Sequence, residues 1–336
     1  MTDDGTTTVV LEGPPSLARL YGDAAARALG TGARSLVARV RGDHERSPAP
    51  VAALPQVRYR LDGVRADPAR LDTYRALVAE PWATTLPAGY VHVLAFPVAM
   101  ALLSRPEAGL PLAGTVHVAN RVVQHRAVAA DATLVVQAGL EHLRPHRRGV
   151  LVDVVVRVDD ATGTLDDPAW EEVSTYLVTG VSVGAPPQGA ASGGHEERAS
   201  GPHDDDPWLP TEVWHLGADE GRRYAAVSGD RNPIHLSAAT ARIFGFRRAI
   251  AHGMDTASRA LASLARERGD AFTWSVDFGR PVLLPGTIQV RVVPDDDGSG
   301  LHVEARDPAT GRAHLTSTLV RHAAGEGAPG VEAENR

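Results

Sequence analysis

Tyr224-Ala225-Ala226-Val227-Ser228-Gly229-Asp230-Arg231-Asn232-Pro233-Ile234-His235 is the stretch whose reading decides most. It runs on through Ala238 and Phe244-Gly245 to Ala249-Ile250-Ala251-His252-Gly253-Met254. Ser228-Gly229-Asp230 has the composition of a turn. Asn232-Pro233 is a helix N-cap followed by the residue best tolerated at the first helical position. A short helix from Pro233 should stop at Gly245, a common residue just past a helix end. His235 then lies in the first turn of that helix, and Asp230 in the loop before it. This spacing can aim a carboxylate and an imidazole at one point, holding one water or one substrate hydroxyl between them. The helix N-terminus disfavours protonation of His235 and keeps it available as a base. His252-Gly253 precedes a longer helix, where the Gly253 N–H and the helix dipole could stabilise an oxyanion. The plainer alternative is that Asp230 and His235 only cap helix ends and turns.

Outward from this stretch the pattern is helix, then strands. Met254 to Arg266 has helical spacing and ends at Gly269. Strand-like segments follow at Phe272 to Phe278, Thr287 to Val293, Leu301 to Ala305 and His314 to Arg321. Asp307-Pro308-Ala309-Thr310-Gly311 should turn the last two into a hairpin. The N-terminal part repeats the plan, with a helix-like run from Val93 to Ser104. Its strands are expected at Thr115 to Val123, Ala132 to Ala138, Val150 to Val158 and Glu172 to Val178. The shared Asp-x-Ala-Thr-Gly recurs at Asp159 and Asp307, and a histidine opens each long helix at His92 and His252. We expect an internal duplication of a unit in which antiparallel strands wrap one long helix.

Composition removes whole chemistries. The 336 residues carry a net charge of −7, with no cysteine, and all 34 basic side chains are arginine. No thiolate nucleophile, disulfide, thiolate zinc site, Schiff base or Walker phosphate loop is available. The length suggests two domains: residues 1–183, then a Gly/Pro/Ser-rich linker at 184–207, then 208–322, with a disordered tail at 323–336. The start, Met-Thr-Asp-Asp-Gly, is acidic and polar rather than basic and then apolar, so a cytoplasmic protein is expected. Val91 to Leu103 is too short for a bilayer span. Net negative charge without a basic run argues against nucleic acid.

The motif resembles that of MaoC-like (R)-specific enoyl-thioester hydratases and dehydratases, which have the hot-dog fold. The shared residues are Tyr224, Ser228 to His235, Gly245 and Ile250 to Met254, with Phe278-x-Arg280-Pro281-Val282 and Pro285-Gly286 beyond. Leu86-Pro87-x-x-Tyr90-Val91-His92-Val93-Leu94-Ala95-Phe96-Pro97 and Gly114-x-Val116-His117-Val118-x-Asn120 resemble the first half of two-domain actinobacterial members. That half lacks Asp-x-Asn-Pro-x-His and has Val93 where the other copy has Gly253. The resemblance implies an α+β double hot-dog whose silent N-terminal half shapes the acyl pocket. It also implies reversible dehydration of (3R)-3-hydroxyacyl thioesters, on CoA or acyl carrier protein, in fatty-acid or polyketide metabolism. Asp230 and His235 would share acid and base duties, with Gly253 N–H as oxyanion donor and Ser228, Asn232 and His252 in support. No metal or redox cofactor is required, and a homodimer of double units stays open. Arg247, Arg248 and Arg280 are candidates for the phosphates of CoA or pantetheine, against a plain reading as solvated arginines. Rival functions are acyl-thioester hydrolysis and non-catalytic acyl binding as a partner subunit.

Several motifs are set aside. Gly180-Val181-Ser182-Val183-Gly184 fits a nucleophile elbow, but Ala185-Pro186-Pro187 follows where a helix is needed. Gly30-Thr31-Gly32 is a poor dinucleotide pattern and reads as loop. Asp204 to Asp206 and Asp295 to Gly298 lack calcium-loop spacing. His142 and His146 have the spacing of two ligands on one helix face, but Pro145 breaks that helix, and a solvated loop is expected.

Overall fold

The structure, a computed structural model, describes residues 5–23, 26, 49–51, 53–112, 115–184, 208–295 and 298–322. The expected linker beyond residue 184, the tail from 323 and the Gly30-Thr31-Gly32 and Asp204-to-Asp206 motifs lie outside the described residues.

The chain opens with strand β1 (Thr7–Val10), a helix α1 over residues 17–23, strand β2 (Ala49–Pro50) and strand β3 (Val57–Val64). Helices α2 (Pro68–Val78) and α3 (Ala88–Leu103) follow, then strands β4 (Thr115–Gln124), β5 (Leu134–His146), β6 (Gly149–Asp160), β7 (Trp170–Thr179) and β8 (Val181–Ser182). The second half begins with β9 (Glu212–Leu216), α4 (Glu220–Ser228), α5 (Pro233–Leu236), α6 (Ala238–Ile243) and α7 (Gly253–Ser263). It ends with β10 (Phe272–Phe278), β11 (Gly286–Pro294), β12 (Gly300–Arg306) and β13 (Ala313–Arg321).

The valine-rich β6 and the β-branched runs of β4 and β7 suit a pleated, buried surface. They stand in the order β1-β3-β5-β6-β7-β4, which continues into β10-β13-β12-β11-β9. The two half-sheets join where β4 pairs antiparallel with β10, from Phe272↔Gln124 to Asp277↔Ala119. The expected double hot-dog is thus one continuous sheet of eleven strands, with α3 packed on β3, β5 and β6 and α7 on β10 and β13. Trp170, Trp274, Tyr74, Tyr90 and Phe272 anchor the core and are fully buried. At about 25 cal/mol per Å² of apolar surface, such large side chains contribute much of what stabilises the core.

Four expectations need correction. The helix α3 begins at Ala88 rather than Val93, because Gly89 leaves room where the Tyr74 hydroxyl and Ser258 Oγ press against its backbone. The helix α7 stops at Ser263 rather than Arg266; beyond it the chain tightens into turns, with Arg268 N–H donating to the Leu264 carbonyl. The single helix from Pro233 to Gly245 is two helices, α5 and α6, broken at Ser237, which is extended and caps α6 by accepting from Thr240 N–H. His142 and His146 belong to β5 and its hairpin into β6, not to a loop, and the His142 ring faces Asp153 of β6 at 3.2 Å.

Candidate active site

Three local structures assemble the site. Ser228 ends α4, and Gly229, at φ 78°, is its left-handed cap, so the chain reverses and delivers Asp230. Asn232 caps α5 by accepting from Ile234 N–H, and Pro233 opens that helix. His235 therefore projects from the first turn of α5, as its spacing predicts. Gly253 opens α7, with His252 as the residue just before it.

Asp230 is held from several sides. Its Oδ1 accepts from the Tyr21 hydroxyl at 2.6 Å and from Asn232 N–H at 3.1 Å. Its own N–H donates to Ser228 Oγ at 3.1 Å. Tyr21 comes from α1, 209 residues away in sequence. The buried Leu17 of the same helix lies beside Gly229, and Arg70 Nε donates to the Val227 carbonyl at 2.6 Å. The turn that carries Asp230 is thus clamped by the N-terminal half.

The two histidines stack, with ring centroids 3.7 Å apart. His235 Nδ1 donates to the Ile250 carbonyl at 2.9 Å, which leaves Nε2 as its unprotonated, accepting nitrogen. His252 Nε2 donates to the Asp230 carbonyl at 3.0 Å and lies 3.7 Å from Asp230 Oδ2. Burial holds both imidazoles below the ordinary histidine value: His235 is lowered against the pull of Asp230, and His252 falls to about 3. Burial pushes the Asp230 carboxyl up. The two histidines, the Tyr21 hydroxyl and Asn232 N–H outweigh it and leave Asp230 below its usual range. The pair therefore rests at neutral pH as carboxylate and neutral imidazole. Asp230, His235 and His252 are also spaced closely enough to bracket a metal ion.

These groups line a cavity of about 180 Å³. Ser228, Asp230, Asn232, His235, His252, Gly253 and Arg280 all border it. Gly253 has no side chain to fill it: a Cβ there would stand 3.0 Å from the Phe278 ring. Arg247 and Arg248 do not border the cavity; both are exposed, and Arg248 Nη1 donates to the Pro285 carbonyl at 3.0 Å. The opposite wall belongs to the N-terminal half, with Val93, Phe96 and Met100 of α3 beside His92, His117 and Tyr176. His92 Nδ1 is fixed by Glu172 at 2.8 Å, and His117 stacks on Tyr176 with centroids 4.6 Å apart. His92 and His117 stand in the two resembling segments of the N-terminal half, which imply no site role for them. Tyr21 and Tyr176 carried no signal at all.

Comparison with known proteins finds relatives over most of the chain. A family model described as MaoC like domain matches residues 198–312. The chain is 34% identical over 274 residues to 3-hydroxyacyl-thioester dehydratase X of Mycobacterium tuberculosis, spanning 79% of this chain and 90% of that protein. The crystal structure of HtdX from the same organism matches with a TM-score of 0.67 at 32% identity, over 79% of this chain and all of that one. A MaoC-like dehydratase from Phytophthora capsici matches with a TM-score of 0.59 over 79% of this chain and 95% of its own; at 19% identity it shows the fold alone.

Proposed function

The chain belongs to the MaoC-like dehydratase family, and we propose that it eliminates water from (3R)-3-hydroxyacyl thioesters and, in reverse, hydrates trans-2-enoyl thioesters. The observation that carries this reading is the meeting of Asp230 and His235 in one buried cavity that also holds the Gly253 N–H at the start of α7.

The chemistry balances with these groups alone. His235 Nε2, unprotonated at rest, takes the proton from C2 beside the thioester carbonyl. The electron pair released forms the C2=C3 bond as the C3–O bond breaks. The imidazolium then returns its proton to the departing hydroxyl, which leaves as water. Asp230 holds that hydroxyl and stabilises the imidazolium while it exists. Gly253 N–H, with the helix dipole behind it, meets the negative charge that gathers on the thioester oxygen. In this scheme Asn232 and Ser228 orient the catalytic turn, and Tyr21 fixes the carboxylate. Arg280, exposed at the cavity's edge, is positioned to meet a phosphate of the carrier group.

We place the chain in two units, a silent half ending near residue 183 and a catalytic half from 208. The silent half supplies the acyl wall and lends Tyr21 to the site. Among the described residues no helix is long and apolar enough to cross a membrane.

The test is a trans-2-enoyl-CoA supplied to the purified protein, with conjugated absorbance and free thiol followed together. Loss of conjugation without thiol supports hydration. Thiol release would favour acyl-thioester hydrolysis, and no change would favour a binding role.

A further inference from the structure

We propose that the exposed end of α6 and the loop after it form a docking surface for an acidic acyl carrier protein. The substrate would then arrive on a carrier-bound phosphopantetheine arm. This inference rests on the dehydratase reading above and deepens it by naming the carrier.

Charge is the first observation. The whole chain is acidic, at −7, yet residues 231–248 contain Arg231, Arg242, Arg247 and Arg248 and no aspartate or glutamate. All four arginines are exposed. Exposed positive charge gathered in one segment of a negative molecule steers an acidic partner toward that segment. Arginine binds carboxylates as well as phosphates through a two-pronged fork, so these residues suit an acidic helix as well as a phosphodiester.

Exposure of apolar surface is the second. Ile243, the last residue of α6, is 78% exposed, and Phe244 beside it is 39% exposed. Gly245, at φ 87°, then turns the chain back toward the protein. Two large apolar side chains set among arginines are the composition enriched at protein interfaces, an apolar centre with an arginine-bearing rim.

Position is the third. Phe246, two residues beyond Phe244, lines the catalytic cavity, and Arg248 ties the loop to the Pro285 carbonyl. The docking face therefore continues through Phe246 into the cavity's lining. Ile243 and Phe244 do not line the cavity. A free CoA thioester would account for the arginines through its phosphates but gives these two side chains no partner. A carrier protein accounts for both.

The same trans-2-enoyl group is presented as its CoA thioester and as an acyl-carrier-protein thioester, to the wild type and to Ile243→Glu and Arg242→Glu. On the carrier-bound substrate each variant should lose about tenfold or more in kcat/KM, chiefly through KM, and the wild-type rate should fall with added salt. On the CoA thioester both variants should match the wild type, which also reports an intact fold. Equal losses on both substrates, or no loss on either, would overturn the docking surface. A wild type inactive on both would instead sink the dehydratase reading on which it stands.

Discussion

Beside the two histidines, Asp230 is held by a residue at the far end of the chain. The Tyr21 hydroxyl donates to Oδ1 at 2.6 Å, and that bond helps hold the carboxylate ionised despite burial. A hydrogen bond to a charged acceptor is worth about 1.5–3 kcal/mol, so its loss should be felt in the reaction rather than in binding. Tyr21→Phe removes the hydroxyl alone. We expect kcat to fall about tenfold or more with KM within about twofold of wild type, measured by steady-state hydration. A wild-type kcat would show that the bond does not matter to the chemistry. This contact was not legible in the sequence, because no local pattern links a tyrosine at position 21 to an aspartate at 230. Asp230, Asn232 and His235, by contrast, are joined by turn and cap rules that act over a few residues, and those rules can be read directly. His235 is instructive in a different way. The sequence offered a helix N-terminus as the reason for its lowered pKa, whereas the structure makes burial the larger cause.

Elements were legible wherever periodicity or a cap spoke alone. The strand β10 falls on Phe272–Phe278 as the alternation predicts, and the turn at Asp307 closes the β12–β13 hairpin by accepting from Ala309 and Thr310 N–H. The misjudged ends are those where an alternative local cap or turn, or a tertiary contact, decided. The break at Ser237 arises because a serine can cap a new helix as readily as continue an old one. The early start of α3 depends on Gly89, whose lack of a side chain lets the helix pass close to α2 and α7. Gly89→Ala would drive a Cβ into the Tyr74 hydroxyl and Ser258 Oγ. It should lower stability by about 1–3 kcal/mol, read as a lower midpoint in chemical denaturation. An unchanged midpoint would mean that the crossing can spread without cost.

The molecule as a whole buries neutral histidines, and this gives it an acid-side weakness. His117 and His252 are each lowered by burial from 6.5 to about 3. Below pH 6.5 they are charged in the unfolded chain but stay neutral in the folded one, so stability falls as pH falls through that window. Asp255 works the other way. Burial raises it from 3.8 to about 7, so the folded state holds its proton where the unfolded state does not. Two histidines outweigh one aspartate, and His235, also lowered by burial, adds to their side, so unfolding near pH 5 takes up protons on balance. The melting temperature should therefore be lower at about pH 5 than at about pH 7.5, as calorimetry would record. A protein equally or more stable in acid would contradict this balance.

The central claim is that water is eliminated by one Asp230/His235 pair acting as a unit inside a cavity closed by both halves. Turnover of a trans-2-enoyl thioester by Asp230→Asn, His235→Ala and the double variant tests it most directly. Each single variant should lose about 10²–10⁴ in kcat while keeping the wild-type circular dichroism. The double variant should lose little more than the worse single one, because groups that serve one step are not additive. Full activity in either single variant, or losses that multiply in the double, would contradict the account.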